Sequence, residues 1–311
     1  MHDATFIAVA EAALARPKGR RWNPDLAAIR AAARMIPGPH PLRVNAVKVA
    51  ESHRPKSVAV EGGPDTTTVF ARTAYQIVYP DGHVMLEAGM DREIHATFGK
   101  GKEEPYYEDE NARVQEALRR SIFNVVTHEH GDHIAGVVRT DFFDEIAPKT
   151  LLTAVQAWAL VVQPQRPQLG IPAETAARYR VFDYEDYLPL AAGIVVIKAA
   201  GHTPGSQMVY VETEAATEYL FIGDCAWHMD GIIKCKQKNA PWIDEDRESI
   251  MDQLQWLNGS TAPSPTSRSL PGTTTINSRN TGLRPCSDRS SNSRAAPAAS
   301  RDAATAAASG P

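Results

Sequence analysis

Apolar and polar positions divide the 311-residue chain into three regions of different texture. Residues 1–42 read as helical: FIAVAEAALA has helical composition. Asn23-Pro24 supplies an N-cap and first-turn pair for a second helix over DLAAIRAAARMI, which PGPHP then ends. No chemistry is evident in this extension. From 43 to 258 β-type runs dominate: RVNAVKVA, SVAVEG, TTVFARTAYQIVY and HVMLEAG, with a turn at Pro80-Asp81-Gly82, then IFNVVT, IVVIKAA, MVYVET and YLFIGD. NARVQEALRRS and DEDRESIMDQLQWLN are expected helices, the latter with an acidic first turn that suits the helix dipole. LLTAVQAWALVV mixes strand and helix signals. Successive strands with interspersed helices predict two sheets covered by helices, not one doubly wound parallel sheet.

The pattern fails at residue 259. From there to 311 the chain has no aromatic residue and no valine, but eleven serines and six arginines. Such a segment buries too little apolar area to offset its ordering entropy, so it is read as a disordered tail. Six arginines against two aspartates give the tail a charge of +4. The whole chain is at −4, which leaves −8 on residues 1–258. An acidic domain speaks against a nucleic-acid partner. No apolar run reaches the roughly 18 residues of a membrane span. The N-terminus lacks a basic leader segment, and three cysteines make no disulfide framework, so a cytoplasmic chain is expected.

Chemistry concentrates after the apolar run IFNVVT. His128, His130, Asp132 and His133 follow within six residues. Imidazole and carboxylate in this density suit zinc, with iron or manganese as alternatives. Gly131 is expected to let the backbone turn sharply between them. His128 and His130, two apart, project to one side of an extended loop, while Asp132 and His133 fall in the next turn. His202 stands at the end of the strand IVVIKAA and Asp224 at the end of YLFIGD.

Together THEHGDH, GHTPGS and the Gly-Asp at 223–224 resemble the metallo-β-lactamase-fold hydrolase superfamily over roughly residues 56–258. The resemblance implies an αββα sandwich with metals in a cleft at one edge of the two sheets. It assigns one ion to His128, His130 and His202, a second to Asp132 and His133, and a bridging role to Asp224. Asp91 in LEAGMD would orient a ligand. The implied activity is metal-dependent hydrolysis, a metal-bound hydroxide attacking a small ester, lactone, thioester or related substrate, with two Zn2+ as cofactor. Asp132 would also orient that hydroxide and relay a proton.

One element departs from the family. Another histidine is normal downstream of the last helix, yet the last of the ten histidines is His228. His228 is a candidate substitute, though a histidine at the rim is the simpler reading, and Cys225 is expected to point into the core. We hypothesise a shifted reading frame as one account of both the missing ligand and the tail. Gly272-Thr273-Thr274 written GGC ACG ACG contains CAC GAC, His-Asp; a gene sequence lacking such a frame would sink the idea. Two further functions follow from the incomplete second site. One is a mononuclear iron sulfur-oxidising protein using His128, His202 and Asp224. The other is an impaired metal-binding protein without turnover. Tyr75, Trp158, Tyr179, Tyr184, Trp227 and Trp242 are candidate cleft liners, with ordinary packing the favoured reading for any one of them.

Overall fold

The computed structural model describes residues 5–15 and 21–260, together with the backbone of 273–275. Its strands form two sheets. The first has the order β1 (Arg43–Pro55), β2 (Thr67–Tyr79), β3 (Gly82–Leu86), β4 (Asn124–Val125), β5 (Thr150–Thr153), β6 (Arg180–Phe182). β1 to β3 are antiparallel, and β3 to β6 run parallel through helical crossovers. The second sheet is antiparallel. It comprises β7 (Tyr187–Ala191), β8 (Ile194–Lys198), β9 (Gln207–Glu212), β10 (Glu218–Phe221) and β11 (Thr273–Thr275) in the order β11-β10-β9-β8-β7.

Three apolar layers explain the stacking. Between the sheets, Tyr75, Ile77, Val84, Leu86 and Val125 meet Ile194, Val196, Val209, Val211 and Phe221. The outer face of the first sheet is covered by helices contributing Ile94, Leu118, Ile134 and Leu160. Helices Leu26–Ala32 and Arg247–Ser260 cover the second through Ile29, Leu254 and Leu257. Both faces of β8 and β9 are therefore buried, and IVVIK and QMVYVE are almost wholly inaccessible. This is the αββα arrangement that the sequence implied.

The segment before residue 43 packs onto this body. Phe6 and Ala10 of helix Thr5–Leu14 join the first outer layer. Arg30 and Arg34 pair with Glu218 and Glu212 of the second sheet. The N-cap of helix Leu26–Ala32 is Asp25, whose carboxylate accepts from Ala27 N at 2.8 Å, two residues after the expected Asn23. Pro24 therefore precedes the cap. SVAVEG, expected as a strand, instead begins with the helical turn Lys56–Ala59. The turn closes with Gly63 N donating to Val60 O, so local compaction overrides the β-type composition. β6 and β7 had no expected counterpart. β7 is an edge strand with a register shift at Pro189, a residue that cannot donate to a ladder. The last helix continues to Ser260, and 273–275 lie against Tyr219–Phe221. The rest of the expected tail lies outside the described residues.

Candidate metal centre

β4 ends at Val125, and the chain then crosses the edge between the sheets. His128 is 1% exposed. His130 caps helix Gly131–Val138 with its backbone, which places Asp132 and His133 in the first turn. Gly131 is an ordinary first helical residue without positive φ, so the expected sharp turn is not what it provides. Its constraint is space: an added Cβ would come 2.9 Å from Ile94 Cγ2. Gly136, one helical turn later, sits where a Cβ would fall 2.0 Å from Ala88 O. This contact fixes the helix that carries Asp132 and His133 against the loop after β3.

The opposite wall comes from the second sheet. His202 follows β8, and Asp224 follows β10 in a short turn opened by Gly223 at φ +53°. A side chain at Gly223 would also strike Thr127 Oγ1 at 2.9 Å. Glu129 ties the two walls together by accepting from Gly205 N at 3.1 Å, and Gln156 Nε2 donates to Gly205 O at 3.0 Å.

Six sequence-predicted residues thus converge in two overlapping sets. Donor atoms of His128, His130, His202 and Asp224 lie within 4.8 Å of one another, as do those of Asp132, His133 and Asp224. The hydrogen bonds assign the ring nitrogens. Thr127 Oγ1 donates to Glu87 Oε1 at 2.5 Å and stands 3.0 Å from His128 Nδ1, so that nitrogen is the donor. His128 Nε2 is left buried without a partner and carries a lone pair into the cluster. Glu245 Oε1 lies 2.5 Å from His202 Nδ1, which directs the His202 Nε2 lone pair the same way. His130 Nδ1 is 2.9 Å from that Nε2.

Burial and the neighbouring rings lower the pKa of His128 well below its ordinary value and that of His130 to about 3. Burial and then Lys238 lower His202. The three rings are therefore neutral, the form that binds a cation. His133 differs. Burial opposes its charge, but Glu87, Asp132 and Asp224 outweigh it and hold its pKa well above the ordinary value. The unpaired buried nitrogen and the neutral donor set fit a divalent ion at the first set.

Asp91 does not reach the cluster. It caps helix Arg92–Gly99 through Ile94 N at 3.0 Å and pairs with Arg139 at 2.5 Å. The orienting carboxylate is Glu87, 3.1 Å from His133 Nδ1 and held at φ +65°. His228 Nδ1 accepts from Asp230 N at 3.0 Å as the cap of helix Met229–Lys234, so it serves the rim. Cys225 is buried in the outer layer of the second sheet, its thiol pushed up to about 12 by burial. Sequence reasoning missed Glu87, Arg72, Lys238 and Glu245. Lys238 is almost wholly buried, its ammonium 2.5 Å from Glu245 and hydrogen-bonded to Asp224 O. Isolated charged residues, whether on a strand or in a loop, carry no signal of such roles.

Above the cluster opens a cleft of about 1400 Å³. Tyr75, Trp158, Trp227 and Trp242 line it, with Phe70 and Phe98. Tyr179 and Tyr184 are instead buried in the core.

Neither a protein-family model nor a curated protein sequence matches the chain. Solved structures do. A quorum-quenching N-acyl homoserine lactone lactonase aligns over 70% of this chain and 86% of its own, at 13% identity and a TM-score of 0.55. An N-acyl homoserine lactone hydrolase with the product N-hexanoyl-L-homoserine bound at its catalytic metal center aligns over 70% and 88%, at 16% identity and a TM-score of 0.55. The architecture is the metallo-β-lactamase fold.

Proposed function

We propose that this chain is a metal-dependent hydrolase acting on a small ester, lactone, thioester or related molecule. The observation that carries the reading is the convergence of His128, His130, His202 and Asp224 at the floor of a cleft, with His128 Nε2 buried there without a partner. These four would hold the ion, zinc being the choice that the donor set suits best. Asp132, His133 and Asp224 form the second set, which the family resemblance assigns to another ion. When bound, a divalent ion would supply Lewis acidity at the scissile group and lower the pKa of a bound water toward about 7.

The chain's own residues supply the remainder. Asp132 is held through Oδ2 by Arg72, which leaves Oδ1 to take the proton of the attacking water and return it to the leaving group. Phe70, Trp158, Trp227 and Trp242 offer apolar wall for an acyl portion. Arg54 and Lys48 are neutralised by Glu104 and Glu51. Arg166, Lys100 and Lys102 also line the cleft and have no carboxylate partner among the described residues, which favours a substrate bearing an anionic group.

The test is hydrolysis of a panel of esters, lactones and thioesters by zinc-loaded protein beside His130→Ala. Turnover that depends on His130 is expected. No hydrolysis with zinc, manganese or iron, or iron with oxygen uptake in its place, would overturn the reading.

A further inference from the structure

Although two sets of donors meet at the cleft floor, they are not equivalent. The first has a buried ring nitrogen without a partner and two ring nitrogens 2.9 Å apart. In the second set, a cation belonging to the protein already engages the carboxylate. Arg72 projects from β2, and its Nη1 is ion-paired with Asp132 Oδ2. The two side chains are 14% and 10% exposed. The guanidinium is fixed from other directions as well. Nη2 donates to Ser52 Oγ at 3.2 Å, and the group lies 4.5 Å from the centre of the Phe98 ring. Of the two other donors of the set, Asp224 takes a hydrogen bond from Trp227 Nε1 at 2.8 Å and also belongs to the first set, while His133 faces Glu87 with Nδ1 at 3.1 Å and keeps Nε2 toward the cluster, 3.4 Å from Asp224 Oδ1.

We infer that this protein binds a single ion and that the Arg72 guanidinium, paired with Asp132, supplies the positive charge of the second metal position. The inference rests on the proposed metal site, and it concerns how many ions that site takes.

Local charge bears on it. Glu87 and Glu245 offset Arg72 and Lys238. A second divalent ion at Asp132 would face the Arg72 guanidinium at close range in a buried site, where like charges are costly unless separately compensated. A planar, permanently charged guanidinium suits the role because it stays ionised when desolvated and binds a carboxylate directionally.

The experiment counts zinc. The purified full-length chain is saturated with zinc, freed of loosely held ions, and measured by elemental analysis and chelator competition. One zinc per chain is expected. Arg72→Met, with its fold checked by circular dichroism, is expected to take up a second zinc at least tenfold more tightly than wild type does. Arg72→Lys, which keeps the charge, should stay at one. Should Arg72→Met fail to fold, Asp132→Asn serves instead: one zinc of affinity within threefold of wild type supports the inference, and loss of one of two overturns it. Two zincs of similar affinity in the wild-type chain also overturn it. The count is independent of turnover. One zinc without hydrolysis would sink the hydrolase reading and leave this one standing.

Discussion

Glu245 lies 43 residues from His202 in sequence and touches both its Nδ1 and Lys238 Nζ at 2.5 Å. Glu245→Gln keeps the shape and removes the charge, with two separable consequences. Lys238, with a side chain 1% exposed, loses its carboxylate and keeps the backbone oxygen of Asp224. Breaking a buried pair from one side costs about 3–5 kcal/mol, and the amide's retained hydrogen bond places this variant near the lower figure. His202 loses the carboxylate that sets its tautomer. Loss of such support typically weakens metal binding about 10–100-fold, or roughly 1.4–2.7 kcal/mol. Urea unfolding of the metal-free chain reads the first effect, and zinc competition against a chromophoric chelator reads the second. The double variant Glu245→Gln/Lys238→Met separates them further. With both charges gone most of the stability should return, whereas zinc affinity should remain low. A single variant equal to wild type in urea midpoint and in zinc affinity would refute the reasoning.

Three other expectations follow from packing and charge. Gly136→Ala places a Cβ 2.0 Å from Ala88 O, so the ligand-bearing helix must move; a loss of about 3 kcal/mol or more is expected in urea unfolding, and an unchanged midpoint would show that the helix yields freely. Leu86→Ala removes a fully buried side chain between the sheets and should cost about 2–5 kcal/mol, a value below 1 kcal/mol marking a collapsible site. Burial raises the pKa of Glu104, but its bonds to Arg54, Ser52 and His53 N prevail and hold it at about 2. A depressed carboxylate stabilises the fold above its unfolded pKa of about 4.5, and that contribution is lost as pH falls from there toward 2. Arg54→Met should flatten this acid limb of stability against pH, and an identical limb would remove Glu104 as its source.

The fold was legible where period and length agreed. TTVFARTAYQIVY is β2 to the residue, and IVVIK and YLF fall within β8 and β10. β8 is continuously apolar because both of its faces are covered, whereas β2 is long but half-exposed over most of its length. Legibility failed where tertiary contacts decide the local state. SVAVEG has strand composition but begins as a helical turn. β6 is only three residues, and its pairing with β5 is not encoded in its own sequence. LLTAVQAWALVV gave a mixed signal because it is mixed: β5 passes directly into a helix through the Thr153–Gln156 capping box.

At the site, proximity in sequence separates what could be read from what could not. His128 to His133 share one loop and the helix turn it enters, so their residue types announce the chemistry. His202 and Asp224 stand at strand ends and gain meaning from their order behind that motif. The groups that decide how the site behaves share no such register. Glu87, Arg72, Lys238 and Glu245 come from four separate segments, and each is an unremarkable charged residue in its own neighbourhood. Burial makes them decisive, because a charge with little access to water must be matched by another within a few ångströms. A ligand motif therefore specifies that a cation can bind. On the inference drawn above, the number of cations bound is set by the fixed charges that the fold gathers around the motif. In this chain one of those charges, Arg72, already lies on the carboxylate that a second ion would need.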